Sequence, residues 1–171
     1  IKIAKGSLVG IVGPIGSGKS TFFSGLIGEA AKISGTVLLN GKVAYCPQLP
    51  WIQSGSLEKN IHFHQPLDQE KLNQCVAASG LSKDIKDLSD GIKTVIGENG
   101  VNLSGGQKSR LALARALYYD ADIYLLDDPI ASLDAQVGRE VGQNARQGYL
   151  KNKTVILATH QLHFLQQVYK V

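Results

Sequence analysis

Short apolar runs alternate along the chain with longer stretches whose apolar positions recur every three or four residues. The β-branched apolar runs predict buried strands at residues 8–12, 123–126 and 154–158. The longer stretches predict helices at residues 21–27, 68–79 and 105–118, and a further helix face at Val137, Val141 and Ala145. Strands and helices that alternate in this way are expected to form a parallel sheet covered by helices.

Residues 49–102 interrupt this alternation because they carry no strand pattern, and we expect them to form an inserted helical lobe. Ahead of them, the pair Asn40-Gly41 between two apolar runs predicts a β-hairpin of residues 36–39 and 42–46. The predicted fold class is therefore α/β, with a mostly parallel sheet, a small antiparallel β portion near the N-terminus and the helical lobe. We expect a single domain whose core is formed by residues 1–48 and 103–171.

Composition excludes several classes of protein. Of the 171 residues, 43% are hydrophobic and 19% are charged, which is ordinary for a folded soluble domain and excludes a disordered chain. Cys46 and Cys75 are the only cysteines and form no CxxC pair, so we expect reduced thiols. The net charge of +4 comes from scattered side chains, so no nucleic-acid partner is expected. Because the sequence contains no methionine, we also expect it to be an excerpt from a longer translation product.

A glycine-rich segment between the first predicted strand and helix fits the phosphate-binding pattern GxxxxGK(S/T). Its glycines let successive backbone N–H groups surround phosphate oxygens, and the following helix adds its N-terminal dipole. Lys19 is expected to reach the outer phosphates, and the Ser20 hydroxyl is a natural Mg²⁺ ligand. The residues expected to bind nucleotide are Gly13, Pro14, Ile15, Gly16, Ser17, Gly18, Lys19, Ser20 and Thr21.

A second anion-binding feature precedes the long helix predicted at residues 105–118. Ser104 as N-cap and Gln107 three residues later predict a capping box. The two glycines between them need a reason, because each costs a helix about 1 kcal/mol relative to alanine; an exposed helix N-terminus that accepts an anion supplies one. The pentapeptide Leu103, Ser104, Gly105, Gly106 and Gln107 resembles the signature sequence of ATP-binding-cassette (ABC) proteins.

The resemblance to ABC proteins extends over almost the whole chain, in the family's order and spacing. Gln48 matches the Q-loop glutamine, Asp127 the Mg²⁺-organising aspartate at the end of a strand, and His160 the switch histidine. The D-loop of the family is matched by Ser132, Leu133 and Asp134. The resemblance implies a P-loop NTPase core, truncated at both ends, that uses ATP and Mg²⁺. It implies Ser20, Gln48 and Asp127 as metal ligands and Asp128, His160 and Gln48 as catalytic residues.

Residues 43–48 and 51–53 resemble, more narrowly, the first nucleotide-binding domain of C-subfamily exporters of the multidrug-resistance-associated type. This resemblance implies an ATP-hydrolysing domain that dimerises head-to-tail with a second cassette of the same polypeptide. The same resemblance implies that residues 103–107 complete the ATP site of that second cassette. It also implies contact with transmembrane domains through the Trp51 region, at the cytoplasmic face of a membrane.

Asp128 departs from the pattern of most hydrolysing cassettes, which carry glutamate at this position. Neighbouring residues of a strand point to opposite sides, so we expect Asp128 to face the attacking water rather than the metal. Its side chain is one methylene shorter than glutamate, so we expect slow turnover at this site. Two other readings stay open: a soluble ABC ATPase in nucleic-acid or translation work, and a regulatory ATP-binding gate.

Overall fold

A four-stranded parallel sheet forms the centre of the molecule in the computed structural model, which describes residues 1–129, 143 and 148–160. Its strands are β1 (Leu8–Val12), β2 (Val43–Cys46), β5 (Ile123–Asp127) and β6 (Thr154–Thr159). The order across the sheet is β1-β6-β5-β2, with Leu8 opposite Val155 and Leu126 opposite both Cys46 and Leu157. Because all three pairings are parallel, the carboxyl ends of all four strands lie at one edge of the sheet.

Helices cover both faces of the sheet, and the described helices are α1 (Lys19–Ile27), α2 (Leu57–His62), α3 (Gln69–Ala78), α4 (Ser82–Asp87) and α5 (Gly105–Tyr118). Alternate residues of β5 face opposite layers: Ile123 and Leu125 pack with Phe23 of α1, whereas Tyr124 and Leu126 belong to the larger apolar cluster with α5. Every residue of β5 and β6 is buried, as expected for strands covered on two sides. The predicted fold class is confirmed.

The hairpin expected at residues 36–46 is wrong. Residues 36–39 are not in a strand, and Val43–Cys46 pairs in parallel with β5. A local Asn-Gly turn signal is here outweighed by burial of Ala44 and Cys46 in the apolar cluster below α5. The small antiparallel pair lies instead between β3 (Gly55–Ser56) and β4 (Val95–Ile96).

The segment between β2 and α5 consists mainly of helices α2, α3 and α4 and packs onto α5. Leu57, Ile61 and Leu72 share one buried apolar cluster with Leu111 of α5. Helix α3 begins after Asp68, whose side chain accepts a hydrogen bond from the Lys71 amide. Among the described residues, none of the helices is long and apolar enough to cross a membrane.

Several predicted features lie outside the described residues. They are the helix face at Val137, Val141 and Ala145 and the D-loop residues Ser132, Leu133 and Asp134. Both cysteines are buried and unpaired, as expected from their spacing.

Candidate nucleotide site

The phosphate loop joins the end of β1 to the start of α1. Gly16 and Gly18 have φ angles of +81° and +88°, a left-handed backbone that strongly favours glycine. A Cβ on Gly13 would lie 2.6 Å from Ser17 Oγ, so a side chain there would require the serine hydroxyl to move. Lys19 Nζ donates hydrogen bonds of 2.9 Å to the carbonyl oxygens of Gly13 and Pro14. The lysine ammonium therefore lies directly against the loop.

A cavity of about 270 Å³ opens where the phosphate loop meets the carboxyl edge of the sheet. It is lined by Ile15, Gly16, Gly18, Lys19, Ser20, Thr21, Gln48, Asp127, Asp128 and His160. Residues predicted from four separate segments are thus brought together around one space. Gly13, Pro14 and Ser17 belong to the same loop without lining the cavity, and residues 103–107 lie elsewhere.

Asp127 closes β5 with a carboxylate that is almost fully buried. Tyr45 Oη donates a long hydrogen bond of 3.4 Å to Asp127 Oδ2. Burial, and then the charge of Asp127, raises the pKa of Tyr45 to about 12, so its hydroxyl stays protonated at neutral pH. Sequence reasoning missed Tyr45, because its partner Asp127 lies 82 residues away on a neighbouring strand and no local pattern joins the two.

Asp128 lies just beyond the end of β5 and has a left-handed backbone, with φ of +47°. Its amide donates to the carbonyl of Ala158, at 2.9 Å. Because Asp128 is outside the strand, the alternation argument fails there, and Asp127 and Asp128 line the same cavity. Asp128 is only 3% exposed. Its carboxylate accepts a hydrogen bond from Thr159 Oγ1 at 3.2 Å and another from His160 Nδ1 at 2.5 Å. Thr159 was not predicted.

The segment at residues 103–107 forms the predicted capping box. Ser104 Oγ accepts from the Gln107 amide at 3.2 Å, and Gln107 Oε1 accepts from the Ser104 amide at 2.8 Å. Leu103 is buried beneath it, whereas Ser104 and Gly105 are exposed. The helix therefore begins at the surface with the amides of two glycines, away from the cavity that holds Lys19.

A second, more apolar cavity of about 440 Å³ lies between β2, the segment after Gln48 and helix α5. Its lining includes Pro47, Trp51, Phe63, Ala112 and Tyr119. Trp51 is 55% exposed and meets Phe63 edge-on, with 5.8 Å between ring centroids. We call these five lining residues the Trp51 surface.

Comparison with known proteins identifies the family of the chain. The chain matches the family model described as ABC transporter over residues 1–131. It is 50% identical to ABC transporter C family member 5 and 48% identical to C family member 9, both from Arabidopsis thaliana. Each alignment covers 96% of this chain and 11% of the relative. The chain belongs to the ABC transporter family. Its similarity to C family members also confirms the predicted subfamily, and the family implies ATP binding.

Proposed function

We propose that the chain is the Mg-ATP-binding and ATP-hydrolysing domain of a C-subfamily exporter. The carrying observation is the 270 Å³ cavity, where Lys19, Gln48, Asp127 and His160 converge from separate segments. Parallel sheets bind ligands beyond the carboxyl ends of their strands, and there Asp127 ends β5 while His160 follows the neighbouring strand β6. Lys19 needs only to exchange two loop carbonyls for phosphate oxygens.

The donor set in the cavity fits Mg²⁺. Ser20 offers a hydroxyl, Gln48 an amide oxygen and Asp127 a carboxylate, the hard oxygen ligands that Mg²⁺ prefers. Bound there, Mg²⁺ would neutralise charge on the phosphates. Tyr45 would orient the Asp127 carboxylate through its hydroxyl.

Slow hydrolysis is supported by the environment of Asp128. A general base must lie within hydrogen-bond reach of the water whose proton it removes. The carboxylate of Asp128 is held by hydrogen bonds from Thr159 and from His160, and its side chain is one methylene shorter than that of glutamate. Asp128 would therefore act mainly by orienting His160, whose Nε2 is the ring nitrogen left for a phosphate or water.

A second cassette is supported by the placement of residues 103–107. This segment has the capped, glycine-opened helix N-terminus of an anion site, yet it lies apart from the cavity of its own chain. A head-to-tail partner would bring a triphosphate to it. We propose that this partner belongs to the same polypeptide, since the chain spans only about 11% of the C family relatives.

Contact with transmembrane domains is proposed for the Trp51 surface, at the cytoplasmic face of a membrane. The surface combines exposed aromatic rings with a concave apolar cavity, a combination typical of partner sites. Its residues Pro47 and Trp51 flank Gln48 in the chain, so a partner bound there would be linked to the nucleotide cavity. In the proposed domain division, residues 49–102 form the helical lobe. This partner would then contact the junction between the lobe and the core.

The test uses the intact protein that carries this chain, in membrane vesicles. We expect ATP-dependent export that Lys19→Ala lowers at least tenfold and that the exposed-lysine control Lys32→Ala leaves unchanged. Stimulation of ATP turnover by DNA or RNA would favour the soluble nucleic-acid ATPase instead. ATP binding without any turnover at either cassette would favour the regulatory gate.

A further inference from the structure

Arg115, in the third turn of α5, ties that helix to the backbone after Gln48. Its Nε donates to the Asn60 carbonyl at 2.8 Å, and its Nη2 donates to Asn60 Oδ1 at 2.6 Å. Its Nη1 donates to the carbonyl of Trp51 at 2.8 Å. One planar guanidinium thus holds two residues of another segment in a fork that a flexible lysine cannot reproduce.

Asn60 extends the same network and is only 2% exposed. Its Oδ1 also accepts from the Gln53 amide at 3.1 Å. Its Nδ2 donates to the carbonyls of Gln53 and Ser56, at 2.8 and 3.1 Å. Backbone groups of three residues between 51 and 56 are therefore held by two side chains, and only Ser56 of the three lies in a strand.

Aromatic rings pack against the same guanidinium. The Arg115 carbon Cζ lies 5.4 Å from the centroid of the Trp51 ring and 5.0 Å from that of Phe63. Phe63 and His64 both have left-handed backbones, with φ of +37° and +63°, which is costly for side chains of this size. Packing around Arg115 thus holds a strained corner of the Trp51 surface.

The location of Arg115 places this hydrogen-bond network between helix α5 and the segment that carries Gln48. Arg115 follows Gln107 by eight residues, about 12 Å along a rigid helix. Gln48 and Trp51 lie three residues apart on the segment that follows β2, and β2 fixes the start of this segment. The hydrogen bond from Arg115 to the Trp51 carbonyl fixes the segment again at Trp51.

We propose that Arg115 is a positioning residue for the ATP site, which holds Gln48 at the cavity and links its position to that of helix α5. This inference rests on the proposed function, since it assigns a role in Mg-ATP binding. Movement of α5, where residues 103–107 would meet a second cassette, is then transmitted to Gln48 and to the Trp51 surface through one side chain.

A double-mutant cycle on the Mg²⁺ dependence of ATP affinity tests this role. The measured quantity is the factor by which Mg²⁺ raises the affinity for ATP. We expect Arg115→Lys to lower this factor about fivefold in the otherwise unmutated chain, and to change it less than about twofold in a Gln48→Ala background. The matched control is Arg110→Lys on the same helix, because Arg110 pairs with Asp84 and not with Trp51. It should leave the Mg²⁺ dependence unchanged.

An equal loss from Arg115→Lys in both backgrounds, or no loss in either, would overturn the proposal. Absence of ATP binding by the unmutated chain would instead overturn the proposed function. If Arg115→Lys does not fold, hydrogen exchange of backbone amides in the unmutated chain tests the proposal instead. The Gln53 amide, bonded to Asn60 Oδ1, should exchange more slowly with Mg-ATP present, and an unchanged rate would contradict the role of Arg115.

Discussion

His160 Nδ1 lies 2.5 Å from Asp128 Oδ2, and this contact joins the ends of two neighbouring strands at the edge of the nucleotide cavity. The carboxylate is buried, whereas the imidazole is about one-third exposed. The pair therefore presents a histidine whose orientation is fixed from behind by an aspartate. In the proposed site, Asp128 would therefore serve to orient a neighbour rather than to take a proton from water.

Asp128→Glu should raise the ATP hydrolysis rate of the intact protein about tenfold, because the longer side chain reaches past Thr159 and His160 into the cavity. Single-turnover phosphate release measures this rate. The control is Asp127→Glu, which should lower it by displacing the expected metal ligand. Unchanged turnover in Asp128→Glu would contradict the assignment of Asp128 as the cause of slow hydrolysis.

Tyr45→Phe should weaken Mg²⁺ binding in the presence of ATP about threefold while leaving the fold intact. The variant removes only the hydroxyl that donates to Asp127 at 3.4 Å, and a bond of this length should contribute less than about 1 kcal/mol, the contribution of a typical hydrogen bond. Titration with Mn²⁺, followed by electron paramagnetic resonance, measures the affinity. Tyr119→Phe, which alters an exposed tyrosine of the Trp51 surface, is the control. Equal affinities in all three proteins would exclude a positioning role for Tyr45.

Parts of the fold could be predicted from local sequence, and parts could not. Strand β1, helix α5 and the capping box at Ser104 follow from periodicity and spacing within a few residues. The hairpin prediction failed because Val43–Cys46 pairs with β5, about 80 residues away. Strands β3 and β4 have two residues each, too few for any periodic pattern.

The candidate site was predictable where a motif or a family resemblance marks the residue. Lys19 was predicted from the phosphate-loop pattern, and Gln48 and Asp127 from the resemblance to ABC proteins; all three line the cavity. Two groups that orient the aspartates of the site were missed, because Tyr45 donates to Asp127 and Thr159 to Asp128 from neighbouring strands, contacts that only the fold defines. The sequence likewise carries no local sign of the contacts between Arg115 and Asn60, 55 residues apart.

Loss of the ion pair between Arg110 and Asp84 should destabilise the fold more than loss of an exposed pair. Arg110 donates two hydrogen bonds to Asp84, at 2.6 and 2.8 Å, and both side chains are 14% exposed. We expect Asp84→Asn to lower the free energy of unfolding by about 2 kcal/mol. Asp120→Asn, which removes the exposed pair with Lys153, should cost less than about 1 kcal/mol. Equal costs in urea denaturation would contradict this ranking.

The stability of the fold should decrease above pH 9 because of Cys46. Burial raises the pKa of its thiol from 9.0 to about 12. Between these values the unfolded chain loses the proton and the folded chain keeps it. The contribution is therefore full below pH 9 and falls by about 1 kcal/mol per pH unit toward pH 12.

Cys46→Ala should flatten the decline in the free energy of unfolding between pH 9 and pH 11, measured by urea denaturation. In the unmutated folded chain, iodoacetamide at pH 8.5 should leave Cys46 unmodified until denaturant is added, because the thiolate is the reactive form. A slope that Cys46→Ala does not change, or rapid alkylation of the folded chain, would disagree with a protonated buried thiol.

The central claim, a Mg-ATP site in the cavity between the phosphate loop and the sheet edge, is tested most directly by isothermal titration calorimetry. Mg-ATP is titrated into the unmutated chain, Lys19→Ala and the exposed-lysine control Lys32→Ala. We predict one site per chain, the same affinity in Lys32→Ala, and a loss of at least tenfold in Lys19→Ala. No binding to the unmutated chain, or equal affinity in all three proteins, would contradict the assignment.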